Sequence, residues 1–509
     1  MLTRVTAARS STIAVSSSAP TIPDAFARVA ARFPDREAVL GPAGRRTYAQ
    51  LAAQANRVAR HLVRRGVRPG DTVPVVARRG VDLPGVLLGV LLAGAAYAVL
   101  DTRWPASRTA VLLERMRPPV VLADPVGSGA LAAAGVPCTA FADLAAPAPG
   151  AALPEISGDA VATLFWTSGS TGEPKAVLSP HRATTRLFTP EPFLDFGPHP
   201  VMVNAAAVAW DAFTLELWGM LLLGGTVLVH EDDLLLPHAI RGYVGDQGAT
   251  HLFLTPALFD VVAAGDLDCL GGLRALLLGG DRPPPRHCRA LLDAHPGVAL
   301  YNGYGPVETC VFATAHRITR ADTESATGVP AGTPVPGTEV HVVRDGVPVP
   351  PGEVGEVAIG GAALAHGYLA APDLTAAAFG RVLVGGRAVP VYFTGDRGWL
   401  DANGVLHFAG RADAQLKVAG HRVEPAEIEA AARELGSRRS VAVAVAGPRI
   451  VLFAEPPAGM DEAQLRDRLR RELPAYMAPA RVHFVPELPL LENTKIDKRA
   501  LFARFGYTS

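Results

Sequence analysis

A short segment rich in hydroxyl groups and glycine carries the clearest chemical signal in the sequence. It reads TSGSTGEPK, from Thr167 to Lys175, and follows an apolar run at residues 161–166. Hydroxyl side chains, glycines that let backbone N–H groups approach an anion, and a terminal lysine are the components of a phosphate cradle. The spacing differs from the GxxxxGK[ST] pattern of P-loop proteins. Taken alone, the segment is either a phosphate cradle or a surface loop of serine and glycine.

Lysine is rare in this chain, so each lysine is a candidate for a role that needs a compact point charge. Of 48 basic residues, only Lys175, Lys417, Lys495 and Lys498 are lysine. An ammonium on a flexible stem differs chemically from the planar guanidinium of arginine. Chance is the alternative explanation for any one of the four.

Signals for helices and strands alternate along most of the chain. Thr47 and Gln50 fit a capping box, apolar residues then recur at helical spacing, and Gly66 offers a C-terminal stop. Short β-rich runs at residues 274–278 and 298–301 lie between helical stretches further along. The pattern is typical of layered α/β sheets, and α/β is the predicted fold class.

The length and a change of character near residue 411 predict two domains. A chain of 509 residues exceeds what one hydrophobic core supports. A polar, glycine-bracketed segment at 410–420 precedes a helix from Pro425, a strand at 441–445 and a helix with Asp461 as its N-cap. We predict a disordered tail at 1–20, a large multi-subdomain core at 21–411 and a small, mobile α+β domain at 412–509.

Composition argues against several classes of protein. The formal net charge is zero, so no electrostatic attraction to nucleic acid or to an anionic membrane is expected. The longest apolar stretch, residues 85–100, is shorter than a bilayer span, and the first twenty residues lack the apolar core of a secretory signal. The four cysteines form no CxxC pair, which fits neither a zinc knuckle nor a disulfide framework. A cytoplasmic location is predicted.

Nine short motifs in a fixed order resemble the adenylate-forming superfamily, and specifically the adenylation domains of nonribosomal peptide synthetases. The resemblance extends over essentially the whole chain. The motifs are LLAGAAYAVLD (91–101), WTSGSTGEPK (166–175), WDAFTLELWG (210–219), NGYGPVET (302–309), GEVAIGG (355–361), YFTGD (392–396), GRADAQLKVAGHRVEPAEIE (410–429), LPAYMAP (473–479) and ENTKIDK (492–498).

The resemblance implies a site for ATP and Mg²⁺. Glu308 would hold Mg²⁺, Tyr304 would stack on adenine beside Asn302, and Asp396 would accept the ribose hydroxyls with help from Arg411. The β- and γ-phosphates would contact Thr167, Ser168, Gly169, Ser170, Thr171, Gly172 and Lys175. Further nucleotide contacts would come from Gly280, Asp281, Gly303 and Gly305. The implied catalytic residues are Lys495, Glu308 and Thr167, and Lys495 would reach both the substrate carboxylate and the α-phosphate.

The resemblance also implies a domain rotation. Asp413 matches the family's hinge, about which the small domain swings between an adenylating and a thiol-transferring arrangement. In the second arrangement the segment from Lys417 to Gly420 would face a pantetheine arm. An ordinary linker at this position is the alternative.

Asp211 lies where amino-acid-activating members of the family place an acid that pairs with the substrate ammonium. A buried ammonium needs such a partner. The other implied pocket residues are apolar: Ala212, Leu215, Phe253, Leu277, Gly279, Gly303, Val311 and Phe312. An aliphatic side chain such as that of valine fits this set, and isoleucine, leucine and alanine remain open because one methylene changes affinity by only about 1–3 kcal/mol.

The chain departs from the family pattern at several positions. Ala176, Val307 and Thr494 replace a glycine, a threonine and a glycine, and these changes leave the charged groups intact. Trp210 and Phe213 alter the usual FDxS around Asp211. Because of this change, a β-amino acid is also a candidate substrate.

The sequence therefore predicts ATP-dependent adenylation of an amino acid, followed by transfer to the phosphopantetheine thiol of a carrier protein. Because the sequence ends at Ser509, shortly after Lys495, the carrier is expected to act in trans. The alternatives are an acyl- or aryl-CoA ligase of the same fold and a catalytically inactive scaffold. Asp211 argues against the first, and retention of Lys495, Glu308 and Asp396 argues against the second.

Overall fold

The computed structural model describes residues 19–145, 152–169, 172–411, 415–418, 420–445, 449–489 and 496–507, with only the backbone described for Ala145 and Lys417. A large core of layered α/β sheets is followed by a small C-terminal domain, which confirms the predicted fold class. The boundary near residue 411 stays a prediction, and nearly all of the predicted tail at 1–20 lies outside the described residues. No helix in these residues has the length and hydropathy that a bilayer span requires.

The core begins with a series of helices and short strands. In order along the chain these are α1 (Ile22–Arg32), β1 (Glu37–Gly41), β2 (Gly44–Thr47), α2 (Tyr48–Arg64), β3 (Thr72–Val76), α3 (Leu83–Leu92), β4 (Ala96–Leu100), α4 (Ala106–Met116), β5 (Leu122–Ala123), α5 (Pro125–Ala133), β6 (Thr139–Ala140), β7 (Val161–Thr167), β8 (Lys175–Pro180), α6 (His181–Thr185) and β9 (Val201–Asn204).

The core continues to Arg411. Its further elements are α7 (Asp211–Leu223), β10 (Thr226–Val229), α8 (Pro237–Gly245), β11 (His251–Leu254), α9 (Pro256–Asp266), β12 (Ala275–Gly279), α10 (Pro285–Ala294), β13 (Ala299–Tyr304), β14 (Thr314–Arg317), α11 (Arg320–Glu324), β15 (Thr333–Pro334), β16 (Thr338–Arg344), β17 (Val347–Pro348), β18 (Gly355–Gly361), α12 (Pro372–Ala378), β19 (Phe379–Val384), β20 (Arg387–Leu400) and β21 (Leu406–Arg411). Short 3₁₀ helices lie at Phe141–Ala145, Leu267–Leu270 and Val307–Thr309.

The small domain is built around one short sheet. Its elements are β22 (Leu416–Val418), β23 (His421–Val423), α13 (Pro425–Glu434), β24 (Ser440–Val445), β25 (Arg449–Ala454), α14 (Glu462–Glu472), β26 (Arg481–Phe484) and α15 (Lys498–Phe505).

Helix α2 shows how local sequence sets an element of the core. The Thr47 hydroxyl accepts the Gln50 N–H at 3.2 Å, and the Gln50 side chain accepts the Thr47 N–H at 3.0 Å, so the predicted capping box is confirmed. Residues spaced three and four apart on one face are buried against α3. Gly89 permits the close approach of α3, because a Cβ there would lie 2.5 Å from Cβ of Val58.

Two largely parallel sheets form the layers of the core. The first has nine strands in the order β15-β14-β13-β12-β11-β9-β10-β1-β2, with β9 to β13 and β1 parallel. The second has six strands in the order β6-β5-β3-β4-β7-β8. Ligands of such sheets bind beyond the carboxyl ends of parallel strands. The segments that follow β7, β9, β11, β12 and β13 are therefore the expected positions of a site.

A third, antiparallel sheet closes the core. Its order is β17-β16-β18-β20-β19, and β21 pairs with the far end of β20. The β20–β21 register places Asp396 directly opposite Arg411. This pairing fixes a carboxylate beside a guanidinium.

The small domain has two different apolar faces. On one face of β24–β26, residues including Leu452 pack with α13, α14 and the β22–β23 hairpin. On the other face, Phe453 and its alternate neighbours pack with α15 and Ile496. The hairpin and the segment that follows the predicted catalytic lysine thus belong to opposite faces of one sheet.

Candidate active site

A cleft lies where the three core sheets meet the β22–β23 hairpin. Most of the residues predicted to bind nucleotide or substrate line it. From the core these are Thr167, Ser168, Asp211, Ala212, Phe253, Gly279, Gly280, Asp281, Asn302, Gly303, Tyr304, Gly305, Val311, Phe312, Asp396 and Arg411. The small domain contributes Gln415, Gly420, His421, Arg422 and Tyr476.

Asp396 is held rigidly at one end of the cleft. Its carboxylate accepts a hydrogen bond from the Tyr304 hydroxyl at 2.6 Å and one from the Arg411 guanidinium at 2.5 Å. Tyr304 ends β13 and Asp396 lies in β20, so the two sheets are joined here. A buried carboxylate with fixed donors on both oxygens is suited to accept further hydrogen bonds from vicinal hydroxyl groups.

The hydroxyl-rich segment after β7 contacts the small domain. Ser168 Oγ donates to the carbonyl oxygen of Arg422 at 2.8 Å and accepts the N–H of Glu424 at 3.1 Å. Glycine is required at 169, because a Cβ there would lie 1.8 Å from the carbonyl oxygen of Glu173. Gly172 approaches α13 closely with a φ of +87°. In this arrangement the segment is both a candidate cradle and a domain contact.

Glu308 is fully buried behind the cleft and surrounded by donors. Arg422 Nη1 lies 2.9 and 3.1 Å from its two oxygens, the Tyr368 hydroxyl donates at 2.7 Å, and Lys175 Nζ lies at 3.5 Å. Burial by itself raises the pKa of Glu308, but Arg422 and Lys175 outweigh it and hold the pKa at about 2. The carboxylate is therefore ionised at neutral pH.

An ionised carboxylate is the type of ligand that Mg²⁺ prefers, so Glu308 fits the role predicted for it. Among the described residues, no three His, Cys, Asp or Glu side chains come together as a metal site.

Lys175 lies against the same acid. Its ammonium contacts the Tyr368 hydroxyl at 3.1 Å and sits 4.5 Å from the centre of that ring. Burial lowers the pKa of Lys175. The predicted cradle lysine is thus directed at Glu308 and does not itself line the cleft.

The other end of the cleft is an apolar pocket with one acid. Asp211 begins α7, and its carboxylate accepts the Val311 N–H at 3.1 Å. The Phe312 and Phe253 rings lie 6.3 Å apart across the pocket. Gly303 makes room for Phe312, because a Cβ at 303 would lie 2.3 Å from that ring. The glycines at 279 and 303 therefore leave room for the Phe312 ring, and they do not enlarge the space for substrate.

Two of the predicted pocket residues lie deeper than the rest. Leu215 and Leu277 are buried in the same hydrophobic cluster as Phe312 but do not line the cleft. The Phe253 and Phe312 rings belong to that cluster and also face the cleft. Sequence alone could not distinguish the lining residues from those behind them, since all are apolar.

An aromatic stack crosses the domain interface above the pocket. The Trp210 ring meets His421 edge to face at 4.0 Å, and His421 stacks on Tyr476 with ring centres 3.7 Å apart. Trp210 is one of the departures from the family pattern. Here it supplies the core side of this contact.

Arg422 and Tyr368 are site residues that the sequence did not single out. Arg422 is one of 44 arginines in the chain, and only the closure of the hairpin over the core brings it to Glu308. Tyr368 lies between the GEVAIGG and YFTGD motifs and shows no chemical pattern of its own. Four predicted site or hinge residues lie outside the described residues: Ser170, Thr171, Asp413 and Lys495.

Family models match both parts of the chain. The model described as AMP-binding enzyme matches residues 26–369, and the model described as AMP-binding enzyme C-terminal domain matches residues 427–495. The resemblance stated from the motifs is thereby confirmed.

Curated proteins are similar over nearly the whole chain, which spans only a small part of their length. Tyrocidine synthase 3 of Brevibacillus parabrevis is 32% identical over 498 residues, which cover 94% of this chain and 8% of that protein. Among solved structures, PA1221, an NRPS protein containing adenylation and PCP domains, is 32% identical with a TM-score of 0.86, covering 96% of this chain and 98% of that one. Klebsiella oxytoca NpsA in complex with 3-hydroxyanthranilyl-AMSN is 26% identical with a TM-score of 0.69, covering 95% and 99%.

Replacing Asp396 by asparagine tests the nucleotide end of the cleft. The substitution keeps the size of the side chain but removes the negative charge that strengthens its hydrogen bonds. We expect AMP to bind about 10- to 100-fold more weakly to Asp396→Asn, as measured by calorimetry. The exposed Asp373 in the first turn of α12 gives the control variant Asp373→Asn. Equal affinity of Asp396→Asn and the control would contradict this placement of the ribose.

The pKa of Asp211 predicts a pH dependence at the other end. Burial raises the pKa of Asp211 to about 6. Above that pH the carboxylate is charged and can pair with an ammonium; below it the carboxyl group is neutral. We expect kcat/KM for an amino acid to fall as pH decreases through about 6, while kcat/KM for ATP falls less.

The variant Asp211→Asn separates this titration from others. It should have a low kcat/KM for the amino acid and lose the decline near pH 6 that is assigned to Asp211. An unchanged pH profile in Asp211→Asn would show that another group titrates.

Proposed function

Because the chain belongs to the family of AMP-binding enzymes, we propose that it is an ATP-dependent ligase that adenylates an amino acid and transfers it to a thiol. In the first step a carboxylate oxygen attacks the α-phosphate of ATP and pyrophosphate leaves. In the second, a thiolate attacks the acyl carbon and AMP leaves. The observation that carries the proposal is that the Asp211 pocket and Asp396 line one cleft, with Glu308 buried directly behind it in contact with the cleft-lining Arg422.

The nucleotide end supports an ATP site. Asp396 would accept the ribose hydroxyls, and Tyr304, whose hydroxyl donates to Asp396, would stack on adenine. Thr167 and Ser168 would face the phosphates, and Glu308 would hold Mg²⁺. The ion would neutralise phosphate charge as pyrophosphate departs. Lys495 is proposed, from the resemblance, to contact the carboxylate and the α-phosphate.

The acid at the pocket end supports an amino acid as substrate. Asp211 would pair with the ammonium, and the rings of Phe253 and Phe312 limit the side chain to an aliphatic group of small or medium size. Polar side chains would leave hydrogen-bonding groups unsatisfied there. Valine is the proposed preference, with isoleucine, leucine, alanine and β-amino acids as candidates. NpsA, bound to an aryl compound, keeps an aryl acid among the alternatives.

The position of the small domain supports the view that this structure has the thiol-transferring arrangement. The β22–β23 hairpin faces the cleft, with Gly420 against Thr255, whereas Ile496 packs on the opposite face of the small domain. A rotation about the predicted hinge at Asp413 would turn the hairpin face away from the cleft and bring the face that carries Ile496 toward it. PA1221 combines adenylation and PCP domains, which supports a phosphopantetheinylated carrier as acceptor. That the carrier is separate remains a prediction.

Amino-acid-dependent exchange of pyrophosphate into ATP tests the first step directly. We expect exchange with an aliphatic amino acid, and a rate at least about a hundredfold lower in Lys495→Ala, because one cation opposite developing charge is lost. Lys498→Ala is the matched control, since Lys498 begins α15 three residues further along.

The outcomes distinguish the alternatives. Exchange with aryl or fatty acids but with no amino acid would contradict the role given to Asp211. No exchange with any acid would favour the inactive scaffold. A loss in Lys498→Ala equal to that in Lys495→Ala would contradict a specific role for Lys495.

Replacing Arg422 tests the second step. Arg422→Ala leaves Glu308 without the cation that the small domain supplies in this arrangement. We expect loading of a carrier protein added in trans to fall by about tenfold or more while exchange is retained. Radiolabelled amino acid on the carrier is the measurement, and Arg433→Ala, in the last turn of α13, is the control. Parallel loss of exchange and loading would contradict an arrangement-specific role.

A further inference from the structure

The loop that follows Glu308 has an unusual backbone. Cys310 and Val311 have φ values of +53° and +64°, although neither is glycine and valine is β-branched. Such conformations are costly and persist only where the surroundings enforce them. The loop presents the Val311 N–H to Asp211 and the Phe312 ring to the pocket. Its conformation therefore determines the geometry of the amino-acid pocket.

A buried arginine enforces this conformation. Arg186 directly follows α6, and its Nη2 lies 2.9, 3.5 and 2.6 Å from the carbonyl oxygens of Thr309, Cys310 and Phe312. Its Nη1 donates to the carbonyl oxygen of Ala183 at 2.7 Å. The side chain thus ties three carbonyl groups of the loop to one helix.

The cost of this arrangement indicates that the guanidinium has a specific task. Within the described residues, Arg186 has no carboxylate at ion-pair distance, and its Nε is buried without a hydrogen-bond partner. Burial lowers the pKa of Arg186, but an arginine guanidinium stays charged at neutral pH. An unpaired buried charge is expensive, and the planar fork of guanidinium donors offsets this cost by binding several carbonyl groups in a fixed geometry.

We propose that Arg186 is a positioning residue that sets the amino-acid selectivity of the pocket by fixing the loop at 309–312. The inference rests on the proposed function and adds a determinant that does not itself line the cleft. Arg186 orients Asp211 through the Val311 N–H and places the Phe312 ring through the Phe312 carbonyl. Glu308 is anchored separately, since its carbonyl accepts the Ala365 N–H at 2.9 Å. Nucleotide binding should therefore depend little on Arg186.

Arg182, in α6, provides a matched control one helical turn before Arg186. It is also buried, and its Nη1 donates to the carbonyl oxygens of Ala362 and Leu364 at 2.7 and 2.8 Å, which are not in the 309–312 loop. Arg186→Met and Arg182→Met each remove a buried guanidinium that binds backbone carbonyls. Arg186→Lys keeps the charge but not the fork, and it replaces Arg186→Met if that variant does not fold.

The experiment compares pyrophosphate exchange across a series of acids that differ by single methylene groups, with the acid that the wild type prefers as reference. In Arg186→Met and Arg186→Lys we expect KM for that acid to rise about tenfold and the preference over its neighbours to shrink by a similar factor, with KM for ATP little changed. Hydrogen exchange of the amides at 309–313 should accelerate in the same variants.

The result that would overturn the inference is equally specific. Arg186 variants with wild-type selectivity and wild-type amide protection, and only a lowered melting temperature like that of Arg182→Met, would show a purely structural role. If the wild type activates only aryl or fatty acids, the proposed amino-acid substrate fails, while the comparison among those acids still tests Arg186.

Discussion

A carboxylate buried away from water carries a large desolvation cost unless cations or hydrogen-bond donors compensate it. Glu308 meets this requirement with groups from three parts of the chain. Lys175 comes from β8, Tyr368 from the segment before α12, and Arg422 from the small domain. The contacts of Lys175 and Tyr368 join parts of the core around Glu308. The contact of Arg422 makes the position of the small domain depend on the charge of the same carboxylate.

The Arg422 contact has a consequence for the order of the proposed reaction. A divalent cation and the Arg422 guanidinium would both neutralise Glu308, and each brings positive charge to the same carboxylate oxygens. Like charges this close oppose each other, so the arrangement with Arg422 on Glu308 fits a state after pyrophosphate and its metal have left. The Ser168 contacts with Arg422 and Glu424 join the phosphate segment to the same hairpin. The site and the domain interface are therefore one set of interactions.

At the Asp211 end of the cleft, shape matters more than charge compensation. The selectivity proposed for this end depends on shape, because Asp211 lies beside the Phe253 and Phe312 rings. Glycines at 279 and 303 accommodate Phe312, and Arg186 and the strained loop fix where that ring lies. A strained loop costs free energy, which the surrounding hydrogen bonds offset. The strained residues, Cys310 and Val311, lie between Glu308, the proposed metal ligand, and the contact with Asp211, the proposed substrate acid.

The sequence by itself determined the fold class and picked out many of the residues that line the cleft, whose roles stay predictions. Capping boxes such as Thr47 with Gln50 act over three residues, and the motifs combine residue types with fixed local spacing, so both can be recognised without tertiary structure. The tertiary structure alone decided that Arg422 pairs with Glu308, that Lys175 is directed at that acid, and that Arg186 holds the pocket loop. These contacts join residues more than a hundred positions apart. Arginine, tyrosine and lysine carry no spacing pattern that identifies such partners, and which of them meet depends on how sheets and domains pack.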